Sequence, residues 1–243
     1  MPQAADHRPW PRPRQPWIMA MQWHDLLFLH WPVPASALRP HIPLGLELET
    51  FAGQAWLGVV PFRMAGVRPR AMRALPALSA FPELNVRTYV TAGGKPGVWF
   101  FSLDAANLLA VEGARLAFHL PYFHAQMRCA AMGEAIDYRS TRTHAGAPPA
   151  SFAATYRPSG PAYTAAPGTL DHWLTERYCL YAANRRGQVW RGEIHHRPWP
   201  LQPAEVQIAQ NALAAPLGLA LEGSPLAHFA RRLDVVAWPI ERL

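Results

Sequence analysis

The 26 prolines, spread along the whole chain, constrain its fold more than any other feature. Proline removes a backbone donor and breaks helix interiors, so long helices are disfavoured and many short strands joined by turns are expected. With 243 residues, 50% of them hydrophobic, the chain carries enough apolar surface for a large core. No apolar run approaches the roughly 18 residues of a membrane-spanning helix. The opening "MPQAADHRPWPRPRQPW" lacks the apolar segment of a secretory signal, so a cytoplasmic protein is expected, with no membrane partner.

The formal charge of +7 raises nucleic acid as a partner. Two features argue against it. Lys95 is the only lysine among 23 basic residues, a skew more typical of GC-rich coding than of phosphate binding. The arginines are also scattered, and the one local run, Arg8, Arg12 and Arg14, is broken by prolines. Steep salt dependence of binding would mark an arm-mediated nucleic-acid binder. Cys129 and Cys179 belong to no C-x-x-C pair and read as buried free thiols.

Residues 1–16 read as a flexible Pro/Arg-rich arm, and residues 17–243 as one domain. Strands are expected around residues 27–31, 55–64 and 81–90. A short helix is expected in "VPASALRPHIP", and a long loop from Ala65 to Ala80. The turn "AGGKP" joins strand 81–90 to the hairpin partner "GVWFFSLDA". The clearest helix spans about Ala105 to His119, with Asp104 or Asn107 as cap. Its two apolar stripes predict little exposure. Further strands follow near 122–132, 134–143 and 151–157. A second helix is read in "GTLDHWLTERYCLYA", capped by Thr169. A broken strand is read in "GQVWRGEIHHRPWPLQPAEVQI", a short helix over 209–215, and a closing strand in "HFARRLDVVAWPI". The class is α+β, with antiparallel sheets packed on a few helices.

The strand "FPELNVRTYV" places Leu84, Val86, Thr88 and Val90 on one face, and Glu83, Asn85, Arg87 and Tyr89 on the other. The polar face is either wet or the wall of a cavity. Glu83 and Arg87 stand roughly 13 Å apart along the strand and cannot neutralise each other. If enclosed, each needs its own partner, and a ligand is one candidate. No dinucleotide fingerprint, Walker loop, G-x-S-x-G elbow or H-E-x-x-H is present. His195 and His196 point to opposite strand faces, so one buried ring and one surface ring are expected rather than a metal site. Lys95, in a hairpin turn expected to be wet, is a poor candidate for imine chemistry. No cofactor is called for.

The segments "LLFLHWPVPASALRPHIPLGLELETFAGQAWLGVVPFRM", "FPELNVRTYV", "GVWFFSLDAANLLAVEGARLAFHLPYFHAQM" and "LTERYCLYA…RGEIHHRPWPLQPAE" resemble the YqjF-like family of uncharacterised bacterial proteins, over nearly all of Trp17 to Trp238. That family is similar to the acetoacetate decarboxylase superfamily. The resemblance implies a curved, mostly antiparallel β-sheet, cone- or barrel-like, around a helix and enclosing a pocket. It matches "FPE" to the aromatic-x-Glu strand motif of those enzymes, which points to Glu83. It aligns Gly113, Arg115 and Pro121 with their helix and turn. Tyr122 and Phe123 stand where the enzymes carry the Schiff-base lysine and its neighbour, so the imine nucleophile is missing.

The resulting expectation is a pocket for a small organic acid or carbonyl compound. Glu83 and Tyr122 would be catalytic, and Asn85, Arg87, Arg115 and His124 ligand-binding. Any activity would be lyase-, hydratase- or isomerase-like without an imine. The alternative is a non-catalytic binding or sensing protein on the same scaffold. Arg115 pairs either with Glu112 across one helix turn or with a ligand carboxylate. Tyr122 and His124 are either packed residues or a carbonyl donor and a proton shuttle. One face of strand 137–143, with Tyr138, Ser140 and Arg142, is inside or outside. Homo-oligomerisation is left open.

Overall fold

The computed structural model describes residues 7–75, 79–184 and 186–243. Its strands are β1 (Met19–Val33), β2 (Glu47–Leu48), β3 (Ala55–Pro69), β4 (Phe81–Ala92), β5 (Lys95–Ala105), β6 (Tyr122–Met132) and β7 (Ala135–Arg142). They continue with β8 (Ser151–Pro158), β9 (Cys179–Ala183), β10 (Val189–His195), β11 (Gln202–Asn211), β12 (Leu226–Ala237) and β13 (Glu241–Arg242). Among the described residues, short α-helices interrupt them, including α1 (Ala35–Leu38), α2 (Leu108–Phe118) and α3 (Leu170–Thr175).

All of the strands join one 13-stranded sheet, in the order β13-β10-β9-β5-β6-β7-β8-β11-β12-β1-β3-β4-β2. The extra pairings of β5 with β4 and of β10 with β12 close this sheet into two rings that share β12, β1, β3, β4 and β5. The strand β5 carries the closure because its two ends have different neighbours. Leu103–Ala105 run parallel to β6, and Val98 and Trp99 run parallel to β9. The other ladders are antiparallel, so the sheet is curved and mostly antiparallel, as expected. Bending of β1 is localised at Asp25, whose φ is 51°, where its register with β3 shifts between His24 and Leu29. The β4–β5 turn needs positive φ at both central residues and has Gly93 at 58° and Gly94 at 72°.

The shared strands β1, β3 and β4 are buried on both faces and separate two cores. Leu27, Leu29, Val59, Leu84 and Val86 face one, with Tyr138 and Phe152 from β7 and β8. Phe28, Val60, Phe62, Phe81 and Tyr89 face the other, with Trp199 and Leu233. Each such side chain, fully buried, contributes about 1.5–3 kcal/mol of apolar transfer.

Several local expectations are corrected by long-range pairing. The expected loop from Ala65 begins as strand: β3 continues to Pro69 because Met19, Ala20 and Gln22 of β1 supply its partners. Residues 76–78 of that segment lie outside the described residues. The second helix holds only Leu170–Thr175, with the Thr169 side chain accepting from the His172 amide. Cys179–Ala183 is instead strand, since both β5 and β10 offer it a ladder. The short helix expected over 209–215 is the end of β11 and a 3-10 turn at Ala215–Leu217. The helix α2 is less buried than its stripes suggest, with Leu108 64% and Leu109 67% exposed, because it lies at the rim and turns only one side inward. Among the described residues, no helix is long and apolar enough to cross a membrane.

Within the expected arm, residues 1–6 lie outside the described residues. Residues 7–16 form no helix or strand but are pinned to the body. Arg8, 7% exposed, pairs with Glu193, and the Trp238 indole donates to the Gln15 carbonyl at 2.7 Å.

Gly97 marks where β5 passes tightly over β9. A Cβ there would lie 2.7 Å from the Cys179 carbonyl oxygen and from its Sγ. Gly97→Ala is therefore expected to lower the unfolding free energy by about 1–3 kcal/mol, read as a drop in urea midpoint. An unchanged midpoint would mean that β9 is free to shift.

Candidate functional site

The polar face of β4 points inward. Glu83, Asn85 and Arg87 line a cavity of about 320 Å³ between the shared strands, α2 and the β9–β10 hairpin. Strand alternation sends their neighbours Leu84 and Val86 to the opposite core, so burial of this polar face follows from closure of the sheet around it.

At one station, Glu83 is 2% exposed, and the Tyr122 hydroxyl donates to its Oε2 at 3.0 Å. No basic residue pairs with it among the described residues. Burial pushes the Glu83 carboxyl up to about 8, against a smaller downward pull from the Tyr122 hydrogen bond. The carboxyl is therefore largely protonated at neutral pH. Because Tyr122 occupies Oε2, the proton is left to Oε1. The Tyr122 phenol is itself held well above its ordinary value by burial and by Glu83. The Tyr138 hydroxyl braces this station from behind, donating to the Glu83 carbonyl at 2.7 Å. Tyr138, Ser140 and Arg142 thus sit on the inner face of β7, toward the core that holds Leu84 and Val86, and Arg142 pairs with Asp104 at 2.8 Å.

At a second station, Asn85 is buried and its Oδ1 has no hydrogen-bond partner among the described residues. Arg87 extends over the Phe28 and Tyr89 rings, 5.2 and 5.9 Å from their centroids, and donates to the Leu174 carbonyl at 3.3 Å. No carboxylate pairs with it among the described residues. Its neighbour His30 is held well below its ordinary value by burial, then by the Arg87 charge, and stays neutral. Tyr89 donates to the Leu174 carbonyl at 2.9 Å, so its oxygen accepts from His30 Nε2 at 2.7 Å.

The remaining expected residues stand apart from the cavity. Arg115 neither pairs with Glu112 nor lines the wall; its guanidinium donates to the Tyr122 carbonyl and so fixes the start of β6. Glu112 reaches His124 instead, at 2.8 Å, and the His124 ring stacks on His144 with centroids 4.9 Å apart. Tyr122 and His124 share a strand parity, but β6 leaves the cavity between them.

Other lining residues come from segments without a local signal. Arg177 is buried, pairs with Glu49 and leaves Nη2 without a hydrogen-bond partner among the described residues. Glu193 is met by Arg8 at 2.9 Å, Lys95 at 2.6 Å and the Trp10 indole at 3.0 Å. Burial alone would raise its carboxyl, but those partners outweigh it and hold Glu193 below its ordinary value, ionised. Lys95 is thus half-buried and paired rather than wet, because the arm and β10 fold over its turn. His196 is the buried ring of its pair, hydrogen-bonded to the Arg197 carbonyl at 2.7 Å, while His195 is half-buried and stacks on His7. Signals for these residues were out of reach locally: Arg177 and Glu49 lie 128 positions apart, and Arg8 and Glu193 185.

The curved, mostly antiparallel sheet closed on itself is acetoacetate decarboxylase-like in fold. The enduracididine biosynthesis enzyme MppR with HEPES buffer bound has a similar structure, with a TM-score of 0.66 at 11% identity over 94% of this chain and 88% of that one. Acetoacetate decarboxylase from Legionella pneumophila gives a TM-score of 0.59 at 14% identity, over 98% and 94% of the two chains. At such identities the likeness establishes fold alone. The chain itself belongs to the DUF2071 family, described as an uncharacterized conserved protein, whose profile matches residues 20–234. It is 49% identical over 227 residues to uncharacterized protein YqjF of Bacillus subtilis (strain 168), covering 93% of each chain.

Proposed function

We propose that this protein binds a small organic acid or carbonyl compound in the cavity, and that Glu83 and Tyr122 handle protons there. The observation that carries this reading is a carboxyl without a basic partner among the described residues, buried on a cavity wall and hydrogen-bonded by a phenol at 3.0 Å. A neutral carboxyl with its proton on the free oxygen is a general acid; once ionised it is a general base. Tyr122 returns its hydrogen bond to the ionised form. Such a couple suits addition, elimination or proton transfer next to a carbonyl, reactions of the lyase, hydratase or isomerase kind. Asn85 Oδ1 adds an acceptor and Arg87 a cation for the ligand's acidic group.

An imine route has little support. Lys95, the only lysine, has its charge matched by Glu193, unlike the dry or cationic surroundings that activate an amine. The same observation supports the second reading, a non-catalytic binding or sensing protein.

Incubation with a panel of keto and hydroxy acids separates the two. For an enzyme, Glu83→Gln is expected to reduce turnover by about 100- to 10,000-fold. Thermal stabilisation by a panel member without turnover would support the binder. Turnover that survives Glu83→Gln would remove the proposed role of Glu83.

A further inference from the structure

We infer that the ligand is a monocarboxylate with an apolar body, its carboxylate held by Arg87 with Arg177 beside it, rather than a short polar acid. This inference rests on the cavity being a binding site, as proposed above, and narrows its ligand class.

Charge is the first argument. Arg87 and Arg177 flank the same Tyr89 ring, 5.9 and 4.9 Å from its centroid, and both line the cavity. Between them they meet one carboxylate, Glu49, which pairs with Arg177. The other acidic groups of the wall are spent: Glu193 is matched by Arg8 and Lys95, and Glu83 keeps its proton. One positive charge is therefore left in excess at the Arg87 station. Arg87 Nε and Arg177 Nη2 have no hydrogen-bond partner among the described residues. A carboxylate presents two acceptor oxygens to such donors and cancels the excess charge.

The rest of the wall supplies the second argument. Met21, Val60, Phe62, Phe100, Leu103 and Trp199 line the space beyond Arg87. They offer little to a polar body, which would give up its hydrogen bonds to water on entry. The cavity, at about 320 Å³, falls within the roughly 300–1,000 Å³ range of pockets for drug-sized ligands. A short keto acid would leave much of that apolar wall uncovered. An alkyl or aryl chain would cover it, and its body would run toward the Glu83–Tyr122 station.

The test is calorimetric titration of the full chain with butyrate, hexanoate, octanoate and decanoate, alongside the matching primary amides. The affinity of the acids is expected to rise by about three- to fourfold per methylene until the cavity is filled. The amides are expected to bind at least about tenfold more weakly, since they lack the charge that Arg87 meets. Arg87→Met should remove the preference for acid over amide, and Arg87→Lys should keep part of it. Thermal melts of both variants establish that they fold. A flat chain-length series, with pyruvate or acetoacetate binding as well as octanoate, would overturn the apolar body and leave the proposed function standing. Amides binding as tightly as acids would overturn anchoring by Arg87. If no acid of any length binds, this inference falls; if no keto acid, hydroxy acid or neutral carbonyl compound binds or is turned over either, the proposed function falls with it.

Discussion

Relative to Glu83→Gln, wild-type protein is expected to lose stability as pH rises through neutrality. The cause is the displacement of Glu83 from an ordinary 4.5 to about 8 by burial. Its folded value lies above its unfolded one. Between those two values the folded state holds the proton that the unfolded state has released. The Glu83 contribution to the unfolding free energy then falls by about 1.4 kcal/mol per pH unit, or about 5 kcal/mol across the window. Below the unfolded value both states are protonated, and the carboxyl has no effect. Glutamine keeps an oxygen for the Tyr122 hydroxyl and has no charge to desolvate. Urea midpoints of both proteins, taken at intervals across the window, read the difference. Parallel curves would mean that water or a rearranged cation neutralises Glu83, and its role as a buried acid would be lost.

Arg8→Met is expected to lower the unfolding free energy by about 3 kcal/mol, the lower end of what breaking a buried ion pair costs. Arg8 is buried against Glu193 and also donates to the Ile194 carbonyl. Its removal leaves Glu193 with Lys95 and the Trp10 indole, which is why the loss stays at the lower end. The double variant Arg8→Met, Glu193→Gln should cost less than the sum of the two singles, because the Arg8–Glu193 interaction can be lost only once, although Lys95 then loses its carboxylate as well. Denaturant titration of the singles and the double completes the cycle. A loss below about 0.5 kcal/mol for Arg8→Met, as for an ordinary surface position, would mean that residues 7–16 detach at little cost.

Much of the architecture is legible in the chain. Alternation in "FPELNVRTYV" separates Leu84 and Val86 from Glu83, Asn85 and Arg87, and the structure keeps that division. The Gly93-Gly94 turn, the strands beginning at Tyr122, Ala135 and Ser151, and the Thr169 cap can also be read locally. Each is governed by the conformational preferences of a few adjacent residues. The failures have a common origin. Cys179–Ala183 carries a helical pattern and Ala65–Pro69 a loop composition, yet both become strands because distant chain offers them ladders.

The candidate site divides in the same way. Glu83, Asn85 and Arg87 can be named from one strand, and Tyr122 from the family resemblance. Arg115 has the charge expected of a ligand anchor, but the rim position of α2 gives it the Tyr122 carbonyl instead. Arg177 and Glu193 give no local signal. By itself, then, the sequence determined the strand-rich class and the side-chain parity of β4, because backbone geometry and neighbouring residues set both. Only the tertiary structure decided that Glu83 and Asn85 are buried, that Glu83 meets Tyr122, and that Arg87 has no carboxylate partner among the described residues. Burial and charge pairing act through space, and sheet closure brings together groups that lie far apart along the chain.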